Sequence, residues 1–176
     1  RLAPVLEAFV NDAFAAAHGS QPSFVGLPRR VDSYAGGVME RDLTGLSNIE
    51  DTPRPRVYAL GGAKIADAFD VAESVLERGL ADEILTSGMT GNAFLAASGV
   101  DIGEPSMTAI TDRDATAVEQ AQALLSEYGE KIHVPEDVAV EQNGDRVEVG
   151  VEGLPVDAPA LDVGESTAAA YADVFE

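Results

Sequence analysis

The chain has 176 residues, of which 45% are hydrophobic, and a formal net charge of −20 from 31 acidic and 11 basic side chains. This length and apolar content allow one ordinary domain or parts of two, and they exclude a disordered chain. Because the sequence contains no cysteine, disulfides, thiolate zinc sites and cysteine nucleophiles are excluded. The strong negative charge disfavours binding to nucleic acid and to anionic membranes.

The cations are distributed unevenly, since lysine occurs only at Lys64 and Lys131 and arginine supplies the other nine. An acidic surface with few lysines is typical of a halophilic protein, in which concentrated salt screens the repulsion between like charges. An ordinary acidic cytosolic protein is the alternative. No apolar run reaches the roughly 18 residues of a membrane span, and the first residues lack a signal-peptide pattern. We therefore expect a cytoplasmic protein.

The first third of the chain predicts short elements followed by a break. Leu2 to Val10 is apolar enough for a short helix that runs into a strand, and residues 11–20 predict a loop or helical turn. Acidic residues and two prolines mark Asn48 to Arg56 as a hinge or domain boundary. Before this break, apolar residues at helical spacing predict one face of a helix, at Tyr34, Val38, Met39, Leu43 and Leu46.

A repeated strand, glycine turn and helix follows this break. The segment "RVYAL" predicts a buried strand, Gly61 and Gly62 a turn, and the next residues a helix that stops at Gly79. The segment "DEILTSG" predicts a second buried strand, followed by a helix that ends at Gly99. Two such units in succession predict a right-handed parallel α/β arrangement.

The remaining segments extend this α/β pattern. A third helix is predicted from Thr111 to Tyr128, and "KIHV" is predicted to be a third strand, with His133 as a strand residue rather than a ligand. Asn143 and Gly144 separate two alternating runs, which is the strongest short-range signal for a β-hairpin.

The first glycine turn predicts an anion site. A parallel strand that ends in Gly61-Gly62 and opens a helix points backbone N–H groups at the carboxyl edge of the sheet, where the helix dipole favours an anion. Lys64 would add an ammonium group beside a bound phosphate, although a surface lysine at a helix start is the alternative. The segment "GGAK" matches neither the phosphate loop nor the dinucleotide fingerprint, so its spacing alone is a weak signal.

Four segments together carry a family resemblance. They are "FVNDAFAAAHGSQPSFVG", "SYAGGVMERDL", "PRPRVYALGGAKIADAF" and "ILTSGMTGNAFLAASG". In this order and spacing the sequence resembles phosphoglycerate kinase, especially its archaeal form, and the segment "ALDVGESTAAAYADVF" extends the resemblance towards the end of the chain.

The resemblance implies a two-lobed kinase with a Rossmann-like, three-layer parallel-sheet α/β fold. Residues 1–47 would be the end of the N-terminal, phosphoglycerate-binding lobe with the interdomain helix, and residues 48–176 part of the C-terminal nucleotide lobe. The implied reaction is reversible phosphoryl transfer between 1,3-bisphosphoglycerate with Mg-ADP and 3-phosphoglycerate with Mg-ATP. Such a reaction needs positioning, charge neutralisation and exclusion of water rather than a protein nucleophile. We expect a monomer that acts on small molecules, with no nucleic-acid partner. The resemblance implies that Mg²⁺ is carried by the nucleotide and that the family aspartate that meets it lies outside this chain, so no metal ligand is expected within the chain.

The resemblance also assigns residues in the nucleotide lobe. Gly61, Gly62, Ala63 and Lys64 match the loop that holds the nucleotide phosphates, and Lys64 matches the catalytic lysine beside the transferring phosphate. Gly88 matches the glycine edge that lies against adenine and ribose. We interpret Asp67 and Asp70 as solvated carboxylates rather than metal ligands.

In the first lobe, the resemblance is incomplete. Asn11 and Asp12 match a largely structural pair, and His18 matches the family histidine. Gly19 stands in place of an arginine that contacts the substrate phosphate, a loss that would cost roughly 1.5 to 3 kcal/mol of binding. Gly37 also stands where many relatives have an arginine. Solvated loop arginines are expected at Arg29 and Arg30, although they could supply charge near this gap.

We expect the chain to be an internal fragment, since it lacks the family's early substrate-binding residues, its "WNGP" strand and its "GGGDT" helix start. Such a fragment would be inactive alone and poorly soluble in low salt, because apolar faces of the sheet would be exposed. Two alternatives stay open. One is a non-catalytic relative that keeps nucleotide binding as a binding or scaffold module, and the other is an unrelated α/β phosphate-binding protein.

Overall fold

The computed structural model describes residues 2–17 and 19–175, without the side chain of Glu50. The chain divides into two compact units, residues 1–52 and residues 53–176. This division falls within the segment predicted to be a hinge, Asn48 to Arg56. The assignment of residues 1–47 and 48–176 to two kinase lobes stays a prediction.

The first unit contains a two-stranded parallel sheet and one helix. Strands β1 (Ala8–Asn11) and β2 (Asp32–Ala35) pair in register, with Phe9 opposite Ser33. Helix α1 (Gly37–Ser47) follows β2 directly. Short 3₁₀ turns at Ala3–Val5, Phe14–Ala16 and Ile49–Asp51 and a π-helical turn at Pro22–Gly26 complete the unit.

The helix predicted from Tyr34 is partly wrong. Tyr34 lies in β2, because the backbone stays extended as far as Gly36, where ψ is 172°. Of the predicted face, Met39 alone is buried, whereas Val38, Leu43 and Leu46 are exposed. The predicted helix is confirmed from Val38 onward, but most of its predicted apolar face is not part of the core.

The second unit is built on a parallel sheet with the order β3-β4-β5. Its strands are β3 (Val57–Leu60), β4 (Glu83–Thr86) and β5 (Ile132–His133), and its first two helices are α2 (Ile65–Glu77) and α3 (Gly88–Ala97). The predicted strands, helices and parallel pairing are confirmed. Helix α2 ends before Gly79, which takes the left-handed conformation expected at a helix stop, with φ of 63°.

The helix predicted from Thr111 to Tyr128 begins later than predicted. Thr111 is the last residue of a separate helix, α4 (Glu104–Thr111), and the predicted helix is confirmed from Ala117 onward as α5 (Ala117–Tyr128). The Asp114 carboxylate accepts hydrogen bonds from the Thr116 N–H group at 2.8 Å and the Thr116 hydroxyl at 2.7 Å. This local turn separates the helices, because a side-chain acceptor replaces the helical backbone bond.

A second, antiparallel sheet with the order β7-β6-β8 completes the second unit. Its strands are β6 (Asp137–Gln142), β7 (Asp145–Gly150) and β8 (Ala160–Val163), and helix α6 (Glu165–Asp173) follows. The predicted hairpin is confirmed, since Asn143 and Gly144 form its turn with φ of 56° and 88°. Positive φ at both positions is the geometry of a two-residue type I′ hairpin turn.

The core of the second unit surrounds helix α3. The Phe94 ring meets the Phe69 ring of α2 edge to face at 5.3 Å, and both residues are buried. On the opposite side, the Asn92 amide nitrogen donates to the Ala160 carbonyl of β8 at 2.9 Å. Helix α3 is therefore held against both α2 and β8.

The mixed α/β class with parallel sheets agrees with the sequence prediction. None of the helices in the described residues combines the length and apolar character that crossing a bilayer requires.

Candidate functional site

Two glycine turns lie side by side at the carboxyl edge of the parallel sheet. Gly61 and Gly62 follow β3, whereas Ser87 and Gly88 follow β4. The two strands end in register, with Leu60 opposite Thr86, and the Ser87 N–H group donates to the Leu60 carbonyl at 3.0 Å. The predicted turn at Gly61 is therefore paired with a second turn at the same edge.

Close packing explains the glycines in both turns. A Cβ atom on Gly61 would overlap the Ser87 hydroxyl, and one on Gly88 would lie 3.1 Å from the Gly62 nitrogen. Gly62 and Gly88 also have positive φ, at 93° and 55°. Side chains are disfavoured at all three positions, by steric overlap or by backbone conformation.

Both turns open helices, but they differ in exposure, because Gly88 at the start of α3 is buried. Neither Lys64, which precedes α2, nor Ser87, which precedes α3, forms a side-chain capping bond. The segment from Gly61 to Lys64 is exposed to solvent. Unpaired N–H groups together with the positive end of the helix dipole favour an anion at this edge.

The Lys64 side chain is 76% exposed and is held only weakly. Its Nζ atom lies 3.8 Å from an Asp67 carboxylate oxygen, and the Asp67 side chain is itself 69% exposed. An exposed ion pair of this kind contributes little to stability. The ammonium group is thus free to reach a phosphate at the turn, while Asp67 and Asp70 are solvent-exposed, as predicted.

Asn11 and Asp12 both hold backbone in the first unit. The Asn11 side-chain oxygen accepts from the Ala13 N–H group at 3.1 Å. One Asp12 carboxylate oxygen accepts from the N–H groups of Val38 and Met39 at 2.7 and 3.0 Å. Asp12 therefore caps α1 and fixes it to the loop that follows β1.

Gly19 and Gly37, where the resemblance predicts arginine, are half-buried and exposed, respectively. Among the described residues, a Cβ atom on Gly37 would meet no atom within 4 Å, and the atoms nearest to one on Gly19 would belong to the flexible end of the Gln21 side chain. Arg29 and Arg30 are exposed, in agreement with solvated loop arginines. His18 was also predicted to belong to this region, and it lies outside the described residues.

His133 lies in β5 as predicted, and it belongs to a polar cluster that sequence reasoning missed. Its Nε2 atom lies 2.7 Å from the Glu83 carboxylate, and its carbonyl accepts from the hydroxyls of Thr86 at 2.8 Å and Tyr171 at 3.0 Å. The Tyr171 hydroxyl also donates to the Thr86 carbonyl at 2.8 Å. Burial raises the pKa of the Tyr171 hydroxyl. The hydrogen bonds that this hydroxyl donates fix α6 to the ends of β4 and β5.

Asp137 is a second residue whose role the sequence did not indicate. Its carboxylate accepts from the N–H groups of Gly164, Ser166 and Thr167 at 3.0, 2.9 and 3.0 Å, and from the Thr167 hydroxyl. Burial opposes ionisation, but these hydrogen bonds outweigh it and lower the pKa of Asp137. Asp137 is therefore the N-terminal cap of α6, supplied by strand β6.

The second unit also contains a polar hollow that none of the glycine-turn residues lines. A hollow of about 310 Å³ between α2 and α5 is lined by carboxylates, including Glu73, Glu77 and Glu127, over Phe69 and Leu124. Within residues 2–17 and 19–175, histidine, aspartate and glutamate side chains form no group of three or more that could hold a metal ion. The paired glycine turns, with the exposed Lys64 beside them, are the candidate site.

A comparison with family models identifies the chain. The model for phosphoglycerate kinase matches residues 1–176. The chain belongs to the phosphoglycerate kinase family. The resemblance read from the four sequence segments is confirmed.

Archaeal phosphoglycerate kinases are among the relatives. The enzyme of Natronomonas pharaonis is 56% identical over 177 residues, which cover 100% of this chain and 45% of that protein. The enzyme of Halobacterium salinarum is 51% identical, with 99% of this chain and 44% of that protein covered. Both come from halophilic archaea, in agreement with the composition.

Solved phosphoglycerate kinase structures share the fold. The structure from Pyrococcus horikoshii OT3 matches 98% of this chain and 44% of its own, with a TM-score of 0.88 and 35% identity. The structure from Coxiella burnetii matches 98% and 45%, with a TM-score of 0.71 and 27% identity. The chain thus spans less than half the length of the phosphoglycerate kinases that it matches.

Proposed function

We propose that this chain is part of a phosphoglycerate kinase that transfers a phosphoryl group reversibly between 1,3-bisphosphoglycerate with ADP and 3-phosphoglycerate with ATP. The observation that carries the proposal is the pair of glycine turns at the carboxyl edge of the parallel sheet, with the exposed Lys64 beside them. Since the chain spans about 45% of its relatives, the proposal concerns the longer protein of which this sequence would form part.

The exposed turn is assigned to the nucleotide. The N–H groups of Gly61, Gly62, Ala63 and Lys64 would hold the phosphates of ADP or ATP, and Mg²⁺ would arrive with the nucleotide as part of the substrate. The narrow edge at Gly88 would lie against adenine and ribose. Lys64 would be the catalytic residue, because its ammonium group can neutralise charge that develops on the transferring phosphoryl group.

The first unit is assigned to the phosphoglycerate. Asn11 and Asp12 would keep the substrate loop in place through the backbone hydrogen bonds that they accept. His18 would lie in this loop, and Gly19 would leave the substrate phosphate without one arginine contact. We further propose a cytoplasmic monomer that acts on small molecules, which the net charge of −20 supports by disfavouring nucleic acid and anionic membranes.

The first experiment is a coupled assay of the full-length protein with ATP and 3-phosphoglycerate in multimolar KCl. Lys64→Met should lower kcat about 100-fold or more, because one charge-stabilising group is lost from the transition state. Its melting temperature should stay unchanged, since Lys64 makes only an exposed ion pair.

Lys131→Met is the matched control, since these are the only two lysines in the chain. Lys131 donates to the Ala81 carbonyl at 3.1 Å, so its loss should cost roughly 1 kcal/mol of stability and leave kcat intact. A wild-type protein without turnover, or equal activity in both variants, would contradict the proposal.

A second candidate is a non-catalytic relative that retains nucleotide binding as a scaffold module. The observation in its favour is glycine at both positions 19 and 37, where the family resemblance predicts arginine. In the full-length protein, Gly19→Arg should lower the KM for 3-phosphoglycerate about tenfold or more if the protein is a kinase with one missing anchor. The backbone can accept this change, because only the Gln21 side chain lies near the new Cβ atom.

Gly129→Ala serves as the control for Gly19→Arg, since a Cβ atom there would meet no atom within 4 Å. Its KM should equal that of the wild type. Nucleotide binding without turnover in the wild type and in Gly19→Arg would favour the scaffold module.

A further inference from the structure

Ser87 stands between β4 and α3 with a hydroxyl that does not cap the helix. Serine before a first helical turn ordinarily accepts a hydrogen bond from that turn, but Ser87 forms no side-chain capping bond. Its hydroxyl lies instead against Gly61 of the neighbouring turn, where a Cβ atom would overlap it. The Ser87 side chain thus occupies the space that a side chain at position 61 would need.

Backbone contacts join the same two turns. The Ser87 N–H group donates to the Leu60 carbonyl at 3.0 Å. A Cβ atom on Gly61 would lie 3.3 Å from the Ser87 carbonyl oxygen, and one on Gly88 would lie 3.1 Å from the Gly62 nitrogen. The two turns are therefore in direct contact at the edge where their strands end.

We propose that Ser87 is a positioning residue for the Gly61–Gly62 turn. Its side chain sets the separation of this turn from the start of α3, and so it sets where the N–H groups of the turn meet the nucleotide phosphates. The inference rests on the proposed function, because it assumes that the turn binds a nucleotide.

The inference makes a specific claim about Gly61. Unlike Gly62 and Gly88, Gly61 does not have a positive φ, so its backbone conformation is open to alanine. The atom nearest to a Cβ at this position is the Ser87 hydroxyl oxygen, and the Ser87 carbonyl oxygen, at 3.3 Å, is a weaker second obstacle. If the hydroxyl is removed, alanine at position 61 should be much better tolerated, because only a shift of a few tenths of an ångström is then needed.

A double-mutant cycle in the full-length protein tests this claim. The variants are Gly61→Ala, Ser87→Ala and the double variant, with Gly129→Ala as the control because its Cβ atom would meet no neighbour. The measurements are the dissociation constant for Mg-ADP by calorimetry, the KM for ATP, the KM for 3-phosphoglycerate and the melting temperature. Effects of residues in contact should be strongly non-additive.

Gly61→Ala should raise the dissociation constant for Mg-ADP at least about tenfold, and the double variant should return to within about threefold of Ser87→Ala. The KM for ATP should follow these changes, whereas the KM for 3-phosphoglycerate should stay constant. If Ser87 only stabilised the fold, the variants would change the KM for ATP and the KM for 3-phosphoglycerate together.

Ser87→Val gives a second test that keeps Gly61 in place. A γ-methyl group larger than the hydroxyl should push the turn away and raise the dissociation constant for Mg-ADP about fivefold. This variant decides the question if Gly61→Ala does not fold. An unchanged affinity in Ser87→Val, or a double variant as weak as Gly61→Ala, would overturn the inference while leaving the proposed function intact. A wild-type protein without affinity for Mg-ADP would overturn the proposed function and the role of Ser87 together.

Discussion

At the scale of single residues, Thr90 in the first turn of α3 carries a buried hydroxyl at an energetic cost. Its side chain is 0% exposed, and within residues 2–17 and 19–175 its hydroxyl has no hydrogen-bond partner. Valine has the same shape without the polar atom. Thr90→Val should therefore raise the free energy of unfolding by about 1 kcal/mol or more in urea titrations, because an unpaired buried hydroxyl is removed.

Thr167→Val is the matched comparison, since Thr167 is also 0% exposed. Its hydroxyl accepts from the N–H groups of Glu136 and Asp137 at 2.9 and 3.1 Å and donates to the Asp137 carboxylate. The same substitution should therefore lower the free energy of unfolding by roughly 2 to 3 kcal/mol. If both substitutions changed the free energy of unfolding by the same amount in the same direction, the argument from hydrogen bonding would be refuted.

At the scale of elements, the cap of α6 by Asp137 predicts a pH dependence. The folded-state pKa of Asp137 is lowered because its hydrogen bonds outweigh the cost of burial. A lowered pKa adds stability above the unfolded value of about 3.9. This stability is lost as the pH falls from there through the folded pKa.

The check is the pH profile of the free energy of unfolding between pH 2.5 and 7. Asp137→Asn should lower the free energy of unfolding by about 1 to 2 kcal/mol at neutral pH, and this difference from the wild type should shrink in acid. A constant difference at all pH values would show that the carboxylate charge is not the cause.

The same elements show which parts of the structure the sequence could predict. The Asn143-Gly144 turn, the stop at Gly79 and the strands around Gly61 depend on signals within a few residues, and all were predicted. The cap by Asp137 and the contact of Tyr171 with Thr86 join residues that are 30 and 85 positions apart in the chain. Such contacts follow from tertiary packing, which a local pattern does not encode.

The sequence predicted both glycine turns of the candidate site but not the contact between them. Gly61 to Lys64 could be found because a strand, a glycine turn and a helix follow one another in sequence. The contact of Ser87 with Gly61 could not, because it depends on the register of β3 against β4. The start of α5 at Ala117 instead of Thr111 has a local cause, because the hydrogen bonds between Asp114 and Thr116 interrupt an otherwise helical pattern.

At the scale of the whole molecule, the net charge of −20 makes stability depend on salt. Like charges repel over about 10 Å at 0.1 M ionic strength but only about 3 Å at 1 M. Screening should therefore raise the melting temperature by about 5 °C or more between 0.1 and 1 M KCl. Solubility should improve over the same range.

Charge screening can be distinguished from preferential exclusion of the solute by measuring the melting temperature in KCl and in sucrose of equal osmolality. If repulsion between carboxylates limits stability, most of the gain should come below 1 M KCl, because the screening length changes little beyond that point. Sucrose should reproduce little of this early gain, since it leaves the charges unscreened. A cooperative melt in dilute buffer at the same temperature as in concentrated KCl would contradict the prediction that the acidic surface requires salt.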